Sequence, residues 1–200
     1  MSIRFHSLVV LAGAAAFFVA CENGPSQPAG PSPLDATQTA VVAQPGQLAA
    51  AGAAQHMVTM MDACDPETFN AAIGPGTCTR SGGVQFAKFL ELLGLHHSIG
   101  SWRFAPPNVT MRVGQRLVAT NRGGEVHTFT EVEDFGGGIV ADLNNLTGLT
   151  TVAPECTQLT GSDFIAPGSS SSEEEDEAGV ENYQCCIHPW MRAQVRVTEK

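Results

Sequence analysis

Three side chains that bind soft metal ions follow one another at short, regular spacing near the end of the chain, in the segment QCCIHPWM (184–191). Cys185, His188 and Met191 have the pattern Cys-x-x-His-x-x-Met, and Pro189 forces a turn between the last two. One backbone loop can therefore direct a thiolate, an imidazole and a thioether toward a single point.

A fourth ligand has to come from another part of the chain, and His127 lies on a predicted strand. Two histidines, one cysteine and a weak thioether are the ligand set of a blue copper site, in which a long axial sulfur raises the reduction potential. Four protein ligands leave no open position for a substrate. The pattern therefore predicts one-electron transfer by a single type 1 copper, and no enzyme activity.

The cysteines indicate an oxidising compartment. The chain has six of them: Cys21, Cys64, Cys78, Cys156, Cys185 and Cys186. Cys64 and Cys78 bracket a turn-rich stretch and predict a local disulfide. Of the last three, two can pair and one is left over, and an odd thiol in an exported protein needs a ligand or nucleophile role.

The N-terminal residues predict export. Arg4 precedes an apolar run that is too short to cross a bilayer as a mature helix, so residues 1–20 are interpreted as a signal peptide. Cys21 follows Phe-Val-Ala, which resembles a bacterial lipobox, and we expect it to be lipidated; a plain secreted protein is the alternative. We predict a lipid-anchored protein of the cell envelope, periplasmic or at the cell surface. Glu22, where inner-membrane retention uses aspartate, favours the outer membrane.

Composition divides the rest of the chain. Residues 21–52 are rich in Pro, Gly, Ala, Gln and Ser, cannot bury enough apolar surface to offset chain entropy, and are predicted to be a disordered tether. Residues 53–200 suffice for one domain.

The net charge of −10 disfavours nucleic acid and anionic membrane surfaces as partners. A redox protein, for example a basic cytochrome, suits this charge better.

Short segments with alternating apolar and polar residues predict strands. These are residues 56–62, 109–113, 115–121, 125–132 and 193–197. Because Gly and Pro turns separate them, we expect an all-β sandwich.

The stretch 63–100 is interpreted as an insertion that carries one helix, with Ser81 as its N-cap and Gly94 as its end. Its apolar positions at helical spacing are Phe86, Phe89, Leu90 and Leu93. His96 and His97 could bind a metal, but neighbouring side chains point apart, and we interpret them as solvated residues.

Two further segments lack strand patterns. Residues 136–167 read as a long loop that covers one end of the sandwich. The acidic run 169–177 is expected to be a solvated loop or a poorly ordered edge, with an acidic docking patch or a calcium site as alternatives.

Several segments resemble the cupredoxin family. YQCCIHPWMRAQVRV (183–197) is similar to the family's C-terminal ligand loop, most closely that of the amicyanins, with the same Cys-to-His and His-to-Met spacing and the same His-Pro-aromatic-Met-Arg run. NRGGEVHTFTEV (121–132) resembles the strand with the first histidine ligand, and FAPPNVTMRVGQRL (104–117) the strand and glycine turn before it. The resemblance spans 104–197, interrupted by the long loop and the acidic run. It implies a Greek-key β-sandwich with one copper bound by His127, Cys185, His188 and Met191.

The resemblance and strand alternation together select the ligand cysteine. Tyr183 and Cys185 share one face of their strand, whereas Cys186 points to the other. Cys185 is therefore expected to bind copper, and Cys186 to pair with Cys156 and so fix the long loop beside the site.

Other roles follow from the family pattern. Thr128 stands where many members have an asparagine that braces the ligand loop, and its hydroxyl is expected to replace that amide. His188, following the family, is expected on an exposed loop as the electron exit. Pro189 and Trp190 beside it would form an apolar docking surface.

Three alternative functions remain open from the sequence: a copper carrier or buffer without electron transfer, a metal-free structural domain, and an enzyme. For an enzyme, the chain lacks a Ser-His-Asp order, a paired-carboxylate motif and a phosphate-binding loop. Six histidines are too few for a multicopper oxidase, and the Cys-x-x-Cys-His order of covalent haem is absent.

Overall fold

The computed structural model describes residues 54 to 200, so the expectations for the signal peptide (1–20), Cys21 and the tether (21–52) lie outside the described residues. It contains two four-stranded β-sheets that share one core. The strands are β1 Gln55–Met61, β2 Arg103–Ala105, β3 Asn108–Arg112, β4 Arg116–Asn121, β5 Thr130–Val132, β6 Ser170–Glu174, β7 Gly179–Gln184 and β8 Arg192–Thr198. Within the described residues, no helix reaches the length and hydropathy that a bilayer crossing needs.

The order of strands is β2-β1-β4-β6 in the first sheet and β3-β8-β7-β5 in the second. The pairs β1–β4 and β3–β8 are parallel and the others antiparallel. Alternate residues of β3, β4 and β8 are buried, which places one face of each strand in the core. The expected all-β, cupredoxin-like sandwich with a helix-containing, disulfide-bearing insertion is confirmed.

Four of the five predicted strands are confirmed as β1, β3, β4 and β8. The strand predicted over 125–132 is wrong in extent, because only Thr130–Val132 pairs as β5. Upstream of it, the backbone N–H of Glu125 donates to the Asp62 carboxylate and His127 forms an isolated bridge with Ile165. The segment that carries the predicted ligand is therefore shaped by a side-chain contact and one isolated backbone bridge, and not by a sheet.

The acidic run is not the loop or poorly ordered edge that was expected. Its residues Ser170–Glu174 form β6, an edge strand paired antiparallel with β4. Ladder hydrogen bonds come from the backbone, and most of these side chains face solvent, so no apolar alternation is needed.

The insertion 63–100 contains two helices where one was predicted: α1 Pro66–Ala72 and α2 Phe86–His96. Asp65 caps α1, with its Oδ1 accepting the Thr68 N–H at 3.0 Å. Ser81 does not cap α2, because Val84 is held in a bridge against Cys64 and the helix begins after it.

Gly94 lies inside α2 and does not end it. The helix ends at His96, and the next residue, His97, caps it with a left-handed φ of 57°. The predicted disulfide Cys64–Cys78 is present and closes the α1 segment.

The predicted loop 136–167 contains a helix, α3 Ala141–Thr147, and two 3₁₀ turns, at Pro154–Thr157 and Gly161–Asp163. The Asn144 side chain bonds to both the N–H and the C=O of Gly138, which folds the start of this segment back on itself. Helix α3 packs against α2, so the two segments outside the sandwich form a common layer.

Candidate metal centre

The structure brings the four predicted ligands to one end of the sandwich. Cys185 follows β7, and His188 and Met191 lie on the loop between β7 and β8. His127 lies just before β5. Cys185, Met191 and His127 are completely buried, and His188 is 3% exposed. Among the cysteines of residues 54–200, Cys185 alone is outside a disulfide.

The nitrogen and sulfur atoms of three of these residues face one another. Cys185 Sγ lies 3.8 Å from His127 Nδ1 and 3.8 Å from His188 Nδ1. First-row metal ions bind thiolate at about 2.3 Å and imidazole nitrogen at about 2.0 Å, so atoms at this separation can share one ion. The three residues fit a metal as they stand, and Met191 supplies a buried thioether beside them.

Backbone hydrogen bonds fix the shape of the ligand loop. The Cys185 N–H donates to Met191 O at 3.0 Å, and the Met191 N–H donates to His188 O at 2.9 Å. Arg192 Nε donates to Pro189 O at 2.9 Å and holds the outgoing end. The seven-residue stretch is thus closed on itself without help from a metal.

The surroundings of the Cys185 sulfur favour the thiolate form. Burial alone would raise its pKa, but contacts with His127 and His188 outweigh burial and set the pKa well below its usual value. The backbone N–H groups of Thr128 and His188 each donate to Sγ at 3.4 Å. Such donors stabilise negative charge on sulfur and, in metal sites, tune the reduction potential.

Thr128 connects the two ligand segments as expected. Its Oγ1 accepts the Cys186 N–H at 2.8 Å, and its own N–H reaches the Cys185 sulfur. The Thr128 hydroxyl therefore links the segment that carries His127 to the ligand loop at Cys186. This is the bracing role predicted for it.

Asp62, at the end of β1, is a partner of His127 that the sequence analysis missed. Its Oδ2 accepts from His127 Nε2 at 2.9 Å, and both side chains are at most 1% exposed. Burial would raise the Asp62 pKa, but the hydrogen bonds from His127 and the backbone bring it down to about 2. Burial would likewise lower the His127 pKa, yet Asp62 and Cys185 raise it to about 9. The pair leaves Nδ1 of the ring directed at Cys185.

A double glycine lets the backbone reach Asp62. The Gly124 N–H donates to both carboxylate oxygens, at 2.9 and 2.8 Å. A Cβ at Gly123 would collide with the Asp62 carboxylate, and one at Gly124 would lie 2.7 Å from Cys64 Sγ. Only glycine allows this close approach.

Glu125 is the buried carboxylate next to His188, as Asp62 is for His127, and the sequence analysis missed it as well. Its Oε2 lies 3.6 Å from His188 Nε2 and accepts from Trp102 Nε1 at 2.6 Å. Burial raises the Glu125 pKa, in spite of opposing contributions from His188 and Trp102. Each histidine thus has its outer nitrogen next to a buried carboxylate, an arrangement that orients metal-binding imidazoles.

The expectation that His188 is exposed is wrong. His188 is 3% exposed and faces helices α2 and α3 across a cavity, and Pro189 is buried as well. Trp190 is half-buried, with its ring edge-on to His188 at 5.4 Å and near Phe89 at 6.1 Å. The insertion thus closes the end of the sandwich where an exposed histidine was predicted.

The second predicted disulfide, Cys156–Cys186, is present. Cys185 belongs to the main core with Tyr183, whereas Cys186 packs in a separate small cluster with Cys156 and Val132. This opposite placement confirms the alternation argument that separated the two neighbouring cysteines.

Two other groups of metal-binding side chains do not form comparable sites. Asp62, Cys64 and Glu125 lie close together, but the Cys64 sulfur is in a disulfide and cannot act as a thiolate. His96 and His97 are exposed, and His97 Nδ1 bonds to Leu146 O at 2.8 Å.

Comparison with known proteins gives distant structural similarity. No family model matches the sequence, and no curated protein matches it. Among solved structures, a purple cupredoxin from Nitrosopumilus maritimus is 19% identical, with 72% of this chain and 99% of that chain covered and a TM-score of 0.39. Amicyanin from Paracoccus versutus is 20% identical, covering 50% and 76%, with a TM-score of 0.33.

Proposed function

We propose that the protein is a type 1 copper protein that carries single electrons in the cell envelope. The observation that carries this proposal is the buried set of His127 Nδ1, Cys185 Sγ and His188 Nδ1, with the Met191 thioether beside it. Copper, when bound, supplies a one-electron couple between Cu(I) and Cu(II). The net charge of −10 suits a basic redox partner, and a lipid anchor at Cys21 would keep the protein at the membrane.

The chain's own contribution is to hold the ligands in place before the metal arrives. Asp62 fixes one imidazole, Glu125 lies against the other, and two backbone N–H groups hold the sulfur. Because these contacts do not involve the metal, little has to move when the charge of the centre changes. A fixed, water-excluding site lowers the reorganisation that accompanies electron transfer.

Visible absorption of the protein loaded with Cu(II) tests the proposal. We expect an intense blue, violet or green thiolate-to-copper band that Cys185→Ser removes completely. A colourless protein would refute the proposal. A band that survives this substitution and disappears in Cys186→Ser would show that the neighbouring cysteine is the ligand.

A copper carrier or buffer is the second candidate, favoured by the burial of His188, since all four candidate ligands are then shielded from solvent. Cyclic voltammetry separates the two functions. A reversible wave at a potential accessible to cellular donors supports electron transfer, whereas copper that is bound in one oxidation state only supports the carrier.

We further propose that electrons leave through Trp190, because the expected exit at His188 is covered. Trp190→Ala should slow reduction of a basic cytochrome c about tenfold, the equivalent of losing an aromatic contact of about 1.4 kcal/mol, and leave the visible spectrum unchanged. Val180→Ala, at a residue 50% exposed on β7, is the control and should have no effect. An altered spectrum with normal kinetics would contradict this role.

A further inference from the structure

A cavity of about 680 Å³ lies between the helices of the insertion and α3. Its walls are mainly apolar and include Phe69, Phe86, Phe89, Leu143, Leu146 and Ile187. Cavities of this size and lining are typical of small-molecule sites. Nothing in the electron-transfer proposal needs such a volume beside the ligand loop.

The polar residues of the cavity are few, and two of the five are acidic; Thr77 and Asn145 are neutral. Glu125 and His188 line it together, and Asp142 adds a second carboxylate. His188 already lies 3.6 Å from the Glu125 Oε2, which also accepts from Trp102. The other oxygen, Oε1, makes no hydrogen bond within residues 54–200 and keeps a small contact with solvent, since the side chain is 7% exposed.

We infer that this cavity binds a neutral or cationic aromatic molecule whose hydroxyl or amino group donates a hydrogen bond to Glu125. The three phenylalanine rings provide stacking and edge contacts for an aromatic body. Glu125 Oε1 can accept this hydrogen bond in place of solvent, because Oε2 already accepts from Trp102 and the acceptor sites of Oε1 are unused within residues 54–200. With two carboxylates and no lysine or arginine in the lining, an anion of the same shape is repelled.

Calorimetric titration of the full, metal-free chain tests the inference with three probes of one shape. We expect 2-naphthol to bind at one saturable site. Naphthalene, which lacks the donor, should bind about tenfold more weakly, the equivalent of one hydrogen bond of about 1.4 kcal/mol. The anion 2-naphthoate should bind more weakly still. Lack of 2-naphthol binding, or equal binding of all three probes, would overturn the inference.

Two substitutions that fill the cavity, a matched control and a substitution of Glu125 locate the binding site. Leu146→Trp fills the cavity and should abolish 2-naphthol binding, and Leu143→Trp does so from the same helix if the first variant folds poorly. Leu95→Trp, at a residue 66% exposed and outside the cavity, is the matched control and should bind normally. Glu125→Gln should reduce the preference for 2-naphthol over 2-naphthoate. Binding that survives both cavity substitutions would place the ligand elsewhere.

The inference does not depend on copper. Because the titrations use metal-free protein, their failure leaves the electron-transfer proposal unaffected. Conversely, a colourless copper-loaded protein would leave the inference about the cavity unaffected.

Discussion

Replacing Asp62 by asparagine is expected to lower the free energy of unfolding of the metal-free protein by about 3 kcal/mol, the usual cost of removing one member of a buried ion pair. Asp62 accepts hydrogen bonds from His127 Nε2 and from the backbone N–H groups of Gly124 and Glu125. With the asparagine oxygen at the place of Oδ2, its NH₂ group stands where Oδ1 accepts from the backbone N–H groups of Cys64 and Gly124, so those bonds are lost. In either orientation the negative charge opposite His127 is removed.

Denaturant unfolding, compared with Asp134→Asn, measures this effect. Asp134 is exposed, so its substitution should change stability by less than about 0.5 kcal/mol. Equal stability of the two variants would show that the Asp62–His127 pair contributes nothing.

The stability difference between the unsubstituted protein and Asp62→Asn should depend on pH, and this dependence shows whether the Asp62–His127 ion pair causes it. The pKa of His127 is raised from 6.5 to about 9, so its share of the stability is complete below pH 6.5 and is lost as the pH rises through 9. The pKa of Asp62 is lowered from 3.8 to about 2, so its share is present above pH 3.8 and is lost as the pH falls through 2. The loss caused by Asp62→Asn should therefore be largest between about pH 4 and 6.5. A difference that persists unchanged at pH 10 would point to packing and not to charge.

The ligand loop could be predicted because its chemistry is local. Cys185, His188 and Met191 lie within seven residues, and strand alternation together with the family's spacing separates Cys185 from Cys186. Short spacing in one loop fixes mutual position before the rest of the fold is known.

The carboxylates could not be predicted in the same way. Asp62 meets His127 across 65 residues, and only the parallel pairing of β1 with β4 brings the end of β1 to this place. Glu125 gave a weak signal, since it lies two residues before His127 and an alternating strand would put both on one face. That signal was easy to overlook because a charged residue beside a predicted strand usually faces solvent.

The burial of His188 was also beyond the sequence. The insertion was recognised from the helical spacing of Phe86, Phe89 and Leu93, but spacing gives the apolar face of a helix and not the surface that it covers. The second layer, α3, has the sequence ADLNNLT and few apolar residues. Its position depends on the Asn144 bonds to Gly138, six residues away, and on the Cys156–Cys186 disulfide, which joins residues 30 apart.

Removing the Cys156–Cys186 disulfide in the double variant Cys156→Ala/Cys186→Ala is expected to lower the free energy of unfolding by about 3.6 kcal/mol. The two cysteines are 30 residues apart, and this is the chain entropy that a cross-link over such a loop removes from the unfolded state. The 14-residue loop of Cys64–Cys78 predicts about 3.0 kcal/mol for its own double alanine variant, which serves as the comparison. Within residues 54–200, replacing both cysteines leaves no unpaired thiol besides Cys185.

The Cys156→Ala/Cys186→Ala variant should also loosen one particular segment, residues 136–167. Cys186 O accepts from the Ile139 N–H at 2.7 Å, and a Cβ at Gly138 would collide with that carbonyl, so residues 136–140 lie directly against the cross-linked strand end. Amide hydrogen exchange in the folded variant should become faster across 136–167, including α3, while β3, β7 and β8 keep their protection. The Thr128 hydroxyl can still accept the backbone N–H of residue 186 in this variant. The thiolate-to-copper band should therefore persist. Unchanged exchange in 136–167, with a stability loss below about 1 kcal/mol, would mean that the cross-link is dispensable and that α3 is held by its contacts with α2 alone.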